Sequence, residues 1–189
     1  MKITLVRHAQ VEEAYQGKYN GHNDISLSPE GFEQAKLLGK KLQALEFDKI
    51  YCSDLRRTRE TLDAFELNLP TTFTPELREK SWGIHEGKSF EEIEATGIKY
   101  KNFAQWLDAL DGEPYQTYQK RIREYFYEVL AKESAKSILV VTHAGVIKTL
   151  LGRVHHLSLE ESFALKVEYG DVVVLRFWNL ADFTFDVSK

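Results

Sequence analysis

Two histidines stand in the same local context. His8 follows the short apolar run 3–6 and Arg7, while His143 directly follows the run 137–142, SILVVT. Short β-branched runs bounded by polar residues predict buried strands. Open α/β sheets gather their ligands outside the carboxyl ends of parallel strands, so both imidazoles are expected to project into one crevice. A third run, 49–52, is followed by Ser53-Asp54-Leu55-Arg56-Arg57-Thr58, which delivers arginine into the first turn of a helix at the same edge. Cations there oppose the helix dipole, and a bound anion would offset that cost. Guanidinium groups present planar donors that match phosphate oxygens. Arg56 and Arg59 read as part of a solvated face, whereas Arg7, set between a buried strand and a histidine, requires an anionic partner. Ala144-Gly145 opens the helix after His143 with small residues that let backbone N–H groups approach an anion. Histidines, arginines and a helix N-terminus thus point to a phosphate site.

The elements that must carry these residues alternate between apolar runs and amphipathic segments. Ser28-Pro29-Glu30 predicts a helix start, with Phe32, Ala35, Leu38, Leu42 and Leu45 as its apolar stripe. Ser53 or Asp54 is expected to cap a helix reaching Ala64, and residues 71–74 read as a third strand. The stretch from about 77 to 112 is aromatic and weakly periodic, a lid-like segment in expectation. A long amphipathic helix is expected over 115–132, with Tyr118, Ile122, Tyr125/Phe126 and Val129 facing inward. The run 137–142 is apolar on both faces, as a central parallel strand should be. Residues 163–167 and 172–178, separated by Tyr169-Gly170-Asp171, suggest a hairpin. The implied architecture is a single α/β domain over 1–189, a three-layer α/β/α sandwich. Its central sheet is mostly parallel, with an antiparallel C-terminal strand.

Composition narrows the chemistry. With 189 residues the chain can bury a substantial core, and a formal charge of −4 gives no broad basic surface for nucleic acid or an anionic membrane. Cys52 is the single cysteine, so no intramolecular disulfide and no thiolate zinc cluster is expected. No run has the length needed to span a bilayer and Arg7 interrupts the first apolar run early, which predicts a cytoplasmic protein. No Walker loop, dinucleotide fingerprint, metalloprotease or serine-hydrolase motif occurs.

Leu5-Val6-Arg7-His8-Ala9 resembles the L-x-R-H-[GA] signature of the histidine phosphatase superfamily, the phosphoglycerate-mutase-like proteins. Cys52 to Thr61 is similar to that family's S-S-x-L-x-R-[AT]-x-x-T segment. Glu76-Leu77-Arg78-Glu79 with Trp82-Gly83-Ile84-His85-Glu86-Gly87 resembles its L-x-E-x-x-x-G-x-x-E-G stretch, and Val140 to Val146 its second-histidine motif. The resemblance implies His8 as nucleophile, Glu79 as acid/base, and Arg7, Arg57 and protonated His143 as phosphate ligands. Neither metal nor cofactor is implied. Ala144, Asn20 and Gly21 are further substrate-binding expectations.

Gln10, Val11 and Ala14 depart from the family's rim residues. Tyr19-Asn20-Gly21-His22 before Leu27 to Gly31 is similar to the corresponding loop of alpha-ribazole phosphatases, which act in cobalamin nucleotide-loop assembly. The implied activity is hydrolysis of a small phosphorylated metabolite, with inorganic phosphate as product. Phosphoglycerate mutase or a non-catalytic phospholigand-binding module are the alternatives. The oligomeric state is left open, a dimer included.

Overall fold

The computed structural model describes residues 1–176. Five strands form one sheet in the order β3-β2-β4-β1-β5: β1 (Lys2–Arg7), β2 (Lys49–Ser53), β3 (Thr71–Thr74), β4 (Ser137–Thr142) and β5 (Val172–Arg176). β1, β2, β3 and β4 pair in parallel, while β5 runs antiparallel along β1. Alternation along the central strands splits the core between two faces. Ile3, Leu5, Ile138 and Val140 pack with α4 (Phe103–Ala109), α5 (Tyr115–Glu124) and α6 (Ala144–Val154). Val6, Leu139, Val141, Ile50 and Cys52 pack on the other face with residues of α1 (Pro29–Leu42) and α2 (Arg56–Asp63). These are the three layers expected. Among the described residues no helix is long and apolar enough to cross a membrane.

Register fixes the site. Arg7 stands opposite Thr142 in the β1–β4 ladder, and the His8 amide donates to the Thr142 carbonyl at 2.9 Å. His8 and His143 therefore leave the sheet side by side. Ser53 closes the neighbouring strand β2, whose Cys52 pairs with Val141.

Three local expectations are corrected. The buried face of α1 is Gly31, Ala35, Gly39 and Leu42, while Phe32 and Leu45 are exposed. Close approach explains the rotation: a Cβ on Gly39 would lie 2.7 Å from Phe65 Cα. Neither Ser53 nor Asp54 caps α2; its N-cap is Leu55, and the Arg56 amide instead donates to Asp24 Oδ1 at 2.6 Å. Asp54 is held by a two-pronged pair with Arg78, both contacts at 2.6 Å.

The expected strand over 163–167 is also absent. Helix α7 (Leu159–Ala164) occupies its start, closed by a reciprocal capping box between Ser158 and Glu161. That Ser-x-x-Glu signal outweighs the apolar pattern. The antiparallel partner of β5 is therefore β1, and Trp178, the end of the expected strand, lies outside the described residues. The Tyr169-Gly170-Asp171 turn does form, with Gly170 at φ +76°.

Candidate active site

A cavity of about 280 Å³ opens at the carboxyl ends of β1 and β4. Its lining includes Arg7, His8, Arg57, Glu79, Ala144 and Tyr169. Each arrives from a different element. His8 and Arg7 end β1, Arg57 sits in the first turn of α2, Glu79 follows the turn after β3, and Ala144 opens α6. Thr61 ties two of these together: it accepts from the Ala9 amide at 3.0 Å and donates to the Arg57 carbonyl at 2.6 Å.

His8 is buried, and its Nδ1 lies 2.8 Å from the Ala9 carbonyl oxygen. A carbonyl only accepts, so Nδ1 carries the hydrogen and Nε2 keeps its lone pair. Burial, with Arg57 and Arg7 adding like-charge repulsion, holds the imidazole pKa well below its ordinary value of 6.5. The ring of His143 lies edge-on, 5.2 Å away between centroids. His143 Nε2 meets Ser53 Oγ at 2.9 Å, and its Nδ1 is buried without a hydrogen-bond partner. Burial, Arg57 and His8 lower its pKa as well, in that order of weight. In the free protein the cationic, desolvated pocket thus favours the neutral ring.

Arg57 is 1% exposed, yet among the described residues it has no carboxylate partner. Its Nη1 donates to the Asn23 carbonyl at 2.9 Å and its Nη2 to that of Gly21 at 2.7 Å, with Asn20 more distant at 3.4 Å. Its Nε is buried and unpartnered, and burial pulls its pKa down to about 10. Arg7 donates to the Val167 carbonyl at 2.6 Å and stacks 3.9 Å above the Tyr169 ring. Its Nε is likewise buried without a partner. Leaving charged donors desolvated and uncompensated is costly unless an anion joins them. Arg56 and Arg59, by contrast, are exposed: Arg56 pairs with Glu60 at 2.6 Å, and Arg59 lies over Phe73.

Glu79 presents its carboxylate between elements. Oε1 accepts from the Tyr118 hydroxyl at 2.7 Å and the Lys80 amide at 3.0 Å, and Oε2 from the Gly145 amide at 2.8 Å. The first turn of α6 therefore gives an N–H to Glu79, where helix-end polarity favours negative charge.

Asn20 lines the cavity, and one N–H of its side-chain amide donates to the Tyr15 carbonyl at 2.5 Å. Gly21 does not line the cavity. Both supply carbonyls that hold Arg57. Glu86 fixes this loop in turn, accepting from the amides of Gly21, His22 and Trp82 within 2.9 Å.

Of the aromatic group at 82–106, Trp82 faces the cavity. Trp106 is core, its indole N–H donating to the Tyr19 hydroxyl at 3.0 Å. From the sequence Ser53 reads as a candidate helix cap and Tyr169 as a turn residue; the β2–β4 pairing brings Ser53 to His143, and the turn brings Tyr169 over Arg7. Among the described residues no group of three or more His, Cys, Asp or Glu side chains is placed to hold a metal ion.

Residues 3–182 match the family described as histidine phosphatase superfamily (branch 1). The chain belongs to the histidine phosphatase superfamily. It is a phosphatase of that superfamily, and its fold is phosphoglycerate-mutase-like. The adenosylcobalamin/alpha-ribazole phosphatase of Escherichia coli K12 is 28% identical over 178 residues, covering 90% of this chain and 87% of that protein. A broad-specificity phosphatase of Saccharomyces cerevisiae, YOR283W, is 30% identical over 163 residues, or 80% of this chain and 69% of that protein. Among solved structures, the alpha-ribazole phosphatase of Shigella flexneri superposes with a TM-score of 0.85 at 24% identity, covering 100% of this chain and 95% of that one. The phosphoglycerate mutase of Bacillus anthracis gives 0.81 at 22% identity, covering 100% and 91%. At these identities the two structures speak to the fold.

Proposed function

We propose that this phosphatase hydrolyses a small phosphomonoester through a phosphohistidine at His8. The observation that carries the reading is the pairing of a lone-pair-bearing His8 Nε2 with two guanidinium groups that, among the described residues, bond only to carbonyls and keep a buried, unpartnered Nε. Arg7, Arg57 and the unpartnered Nδ1 of His143 hold the phosphoryl oxygens, with Ala144 at the cavity wall. Dianion binding reverses the repulsion that keeps His143 neutral, so a proton taken up there completes the cationic cradle. His8 Nε2 forms the P–N bond as the ester P–O bond breaks, and protonated Glu79 gives its proton to the leaving oxygen. Glu79 then takes a proton from water, which attacks phosphorus, releases inorganic phosphate and restores His8. The chain works as one domain, with Glu79 and Trp82 of the lid-like segment 77–112 at the cavity, and a cytoplasmic location suits a metabolite substrate.

Alpha-ribazole 5'-phosphate is the first substrate to test, on the strength of relatives such as the E. coli enzyme. His8→Ala abolishes turnover on this reading, and rapid quenching of the wild type traps an acid-labile phosphoryl-enzyme. Undiminished turnover in His8→Ala overturns the mechanism. A second reading, phosphoglycerate mutase, draws on a Gloeobacter violaceus mutase that is 28% identical over 197 residues, covering 97% of this chain and 88% of that protein. Interconversion of the 2- and 3-phosphoglycerates in a coupled assay would favour it.

A further inference from the structure

We propose that Tyr118 is a positioning residue whose hydroxyl sets the Glu79 carboxyl in line with the leaving oxygen of the substrate. The inference rests on the acid/base role of Glu79 argued above. Tyr118 is not among the residues lining the cavity, so any effect on chemistry passes through Glu79.

The geometry leaves Glu79 little freedom. Tyr118 is 1% exposed, and its ring packs in the core beneath α6 while its hydroxyl reaches Glu79 Oε1 at 2.7 Å. Burial and the neighbouring Glu79 push the phenol well above its ordinary pKa, so the hydroxyl keeps its proton to donate. The second carboxyl oxygen accepts from the Gly145 amide at 2.8 Å. A Cβ at position 145 would lie 2.1 Å from Glu79 Oε1 and 2.7 Å from the Tyr118 hydroxyl. The carboxyl is therefore clamped between two helices in a space that admits no extra methyl group.

The helix bearing Tyr118 is itself fastened to the segment bearing Glu79. Arg121, one turn further along α5, pairs with both carboxylate oxygens of Glu113 at 2.8 and 2.7 Å. The same guanidinium donates to the carbonyls of Glu76 at 2.6 Å and Arg78 at 3.2 Å, in the turn that leads into Glu79. Donor and acceptor thus cannot drift apart without breaking the Arg121 bonds to these carbonyls. The cations facing Glu79 are Arg7, Arg57, Lys80 and Lys148. They supply charge, and Tyr118 and Gly145 supply direction.

A positioned acid matters in proportion to how badly the leaving group needs a proton. An alkyl phosphate expels an alkoxide and depends on it, whereas 4-nitrophenyl phosphate expels a stable phenolate and hardly does. The test measures kcat/KM, which reports through P–O cleavage, for both substrates with Tyr118→Phe and Glu79→Gln. Tyr118→Phe keeps the buried ring, and a melting curve checks that it folds.

The expected result is a loss of about tenfold on the alkyl ester and less than about twofold on the aryl ester, with phosphate affinity unchanged. Equal loss on both esters, or a parallel fall in phosphate affinity, overturns the proposal, because the hydroxyl would then merely support the pocket. Glu79→Gln separates the two levels. If it too costs both esters equally, the acid role of Glu79 falls. If it is selective and Tyr118→Phe is not, the positioning role alone falls.

Discussion

Acidification should expose the pocket's electrostatics as a measurable loss of stability. His8 and His143 are both buried, and each has a pKa well below 6.5 through burial and the flanking arginines. The native state resists protonating them, while the unfolded chain protonates them as the pH passes 6.5. The unfolded state therefore binds more protons, and stability falls as pH falls. While the native rings stay neutral, each costs RT ln(1 + 10^(6.5−pH)), about 1.4 kcal/mol at about pH 5.5. The pair thus removes about 2.7 kcal/mol between about pH 7.5 and 5.5, a large share of a typical domain's margin. His22 and His85 are shifted in the same direction and add to the loss. Urea unfolding at the two pH values measures it, and His8→Asn should reduce the loss by about 1.4 kcal/mol. A pH-independent midpoint, or an unchanged pH dependence in His8→Asn, would refute the claim that the cationic pocket keeps these rings neutral.

Other outcomes follow from single contacts. Arg57→Lys should weaken phosphate or vanadate binding by about 10- to 100-fold in calorimetry, because a compact ammonium lacks the planar fork that reaches the Gly21 and Asn23 carbonyls on one edge and an anion on another. Tyr169→Ala should raise KM several-fold by releasing the stacked Arg7 guanidinium, and Tyr169→Phe should restore it. Ser158→Ala, which breaks the capping box of α7, should cost about 1 kcal/mol in unfolding experiments and leave kcat unchanged.

Much of the site was legible because its residues sit where local signals are strong. Buried strands announce themselves as short β-branched runs, and whatever follows such a run emerges at the sheet edge. That logic placed His8, Arg7 and His143 without any contact information. The motif resemblance then separated Arg57 from Arg56 and Arg59, and the structure shows the difference as a buried guanidinium beside two exposed ones. Local signals failed where two of them competed. Residues 163–167 carry a strand-like pattern, but the Ser158–Glu161 box starts a helix just ahead. In α1 the apolar count favoured Phe32, yet small residues won because Gly31 and Gly39 allow the helix to approach its neighbours.

The sequence by itself pointed to two histidines and an arginine at neighbouring strand ends, because residue type and strand periodicity are local properties, and its motifs pointed to the phosphatase family. Tertiary structure alone decided how those groups are held. The β1–β4 register sets His8 beside His143, and the Ala9 carbonyl selects the His8 tautomer. The carbonyls of Gly21 and Asn23 aim Arg57, and Tyr118 and Gly145 grip Glu79 from two different helices. Apart from the His8–Ala9 contact, each of these joins segments far apart in the chain. Their geometry exists only once the sheet and its two covering layers have closed.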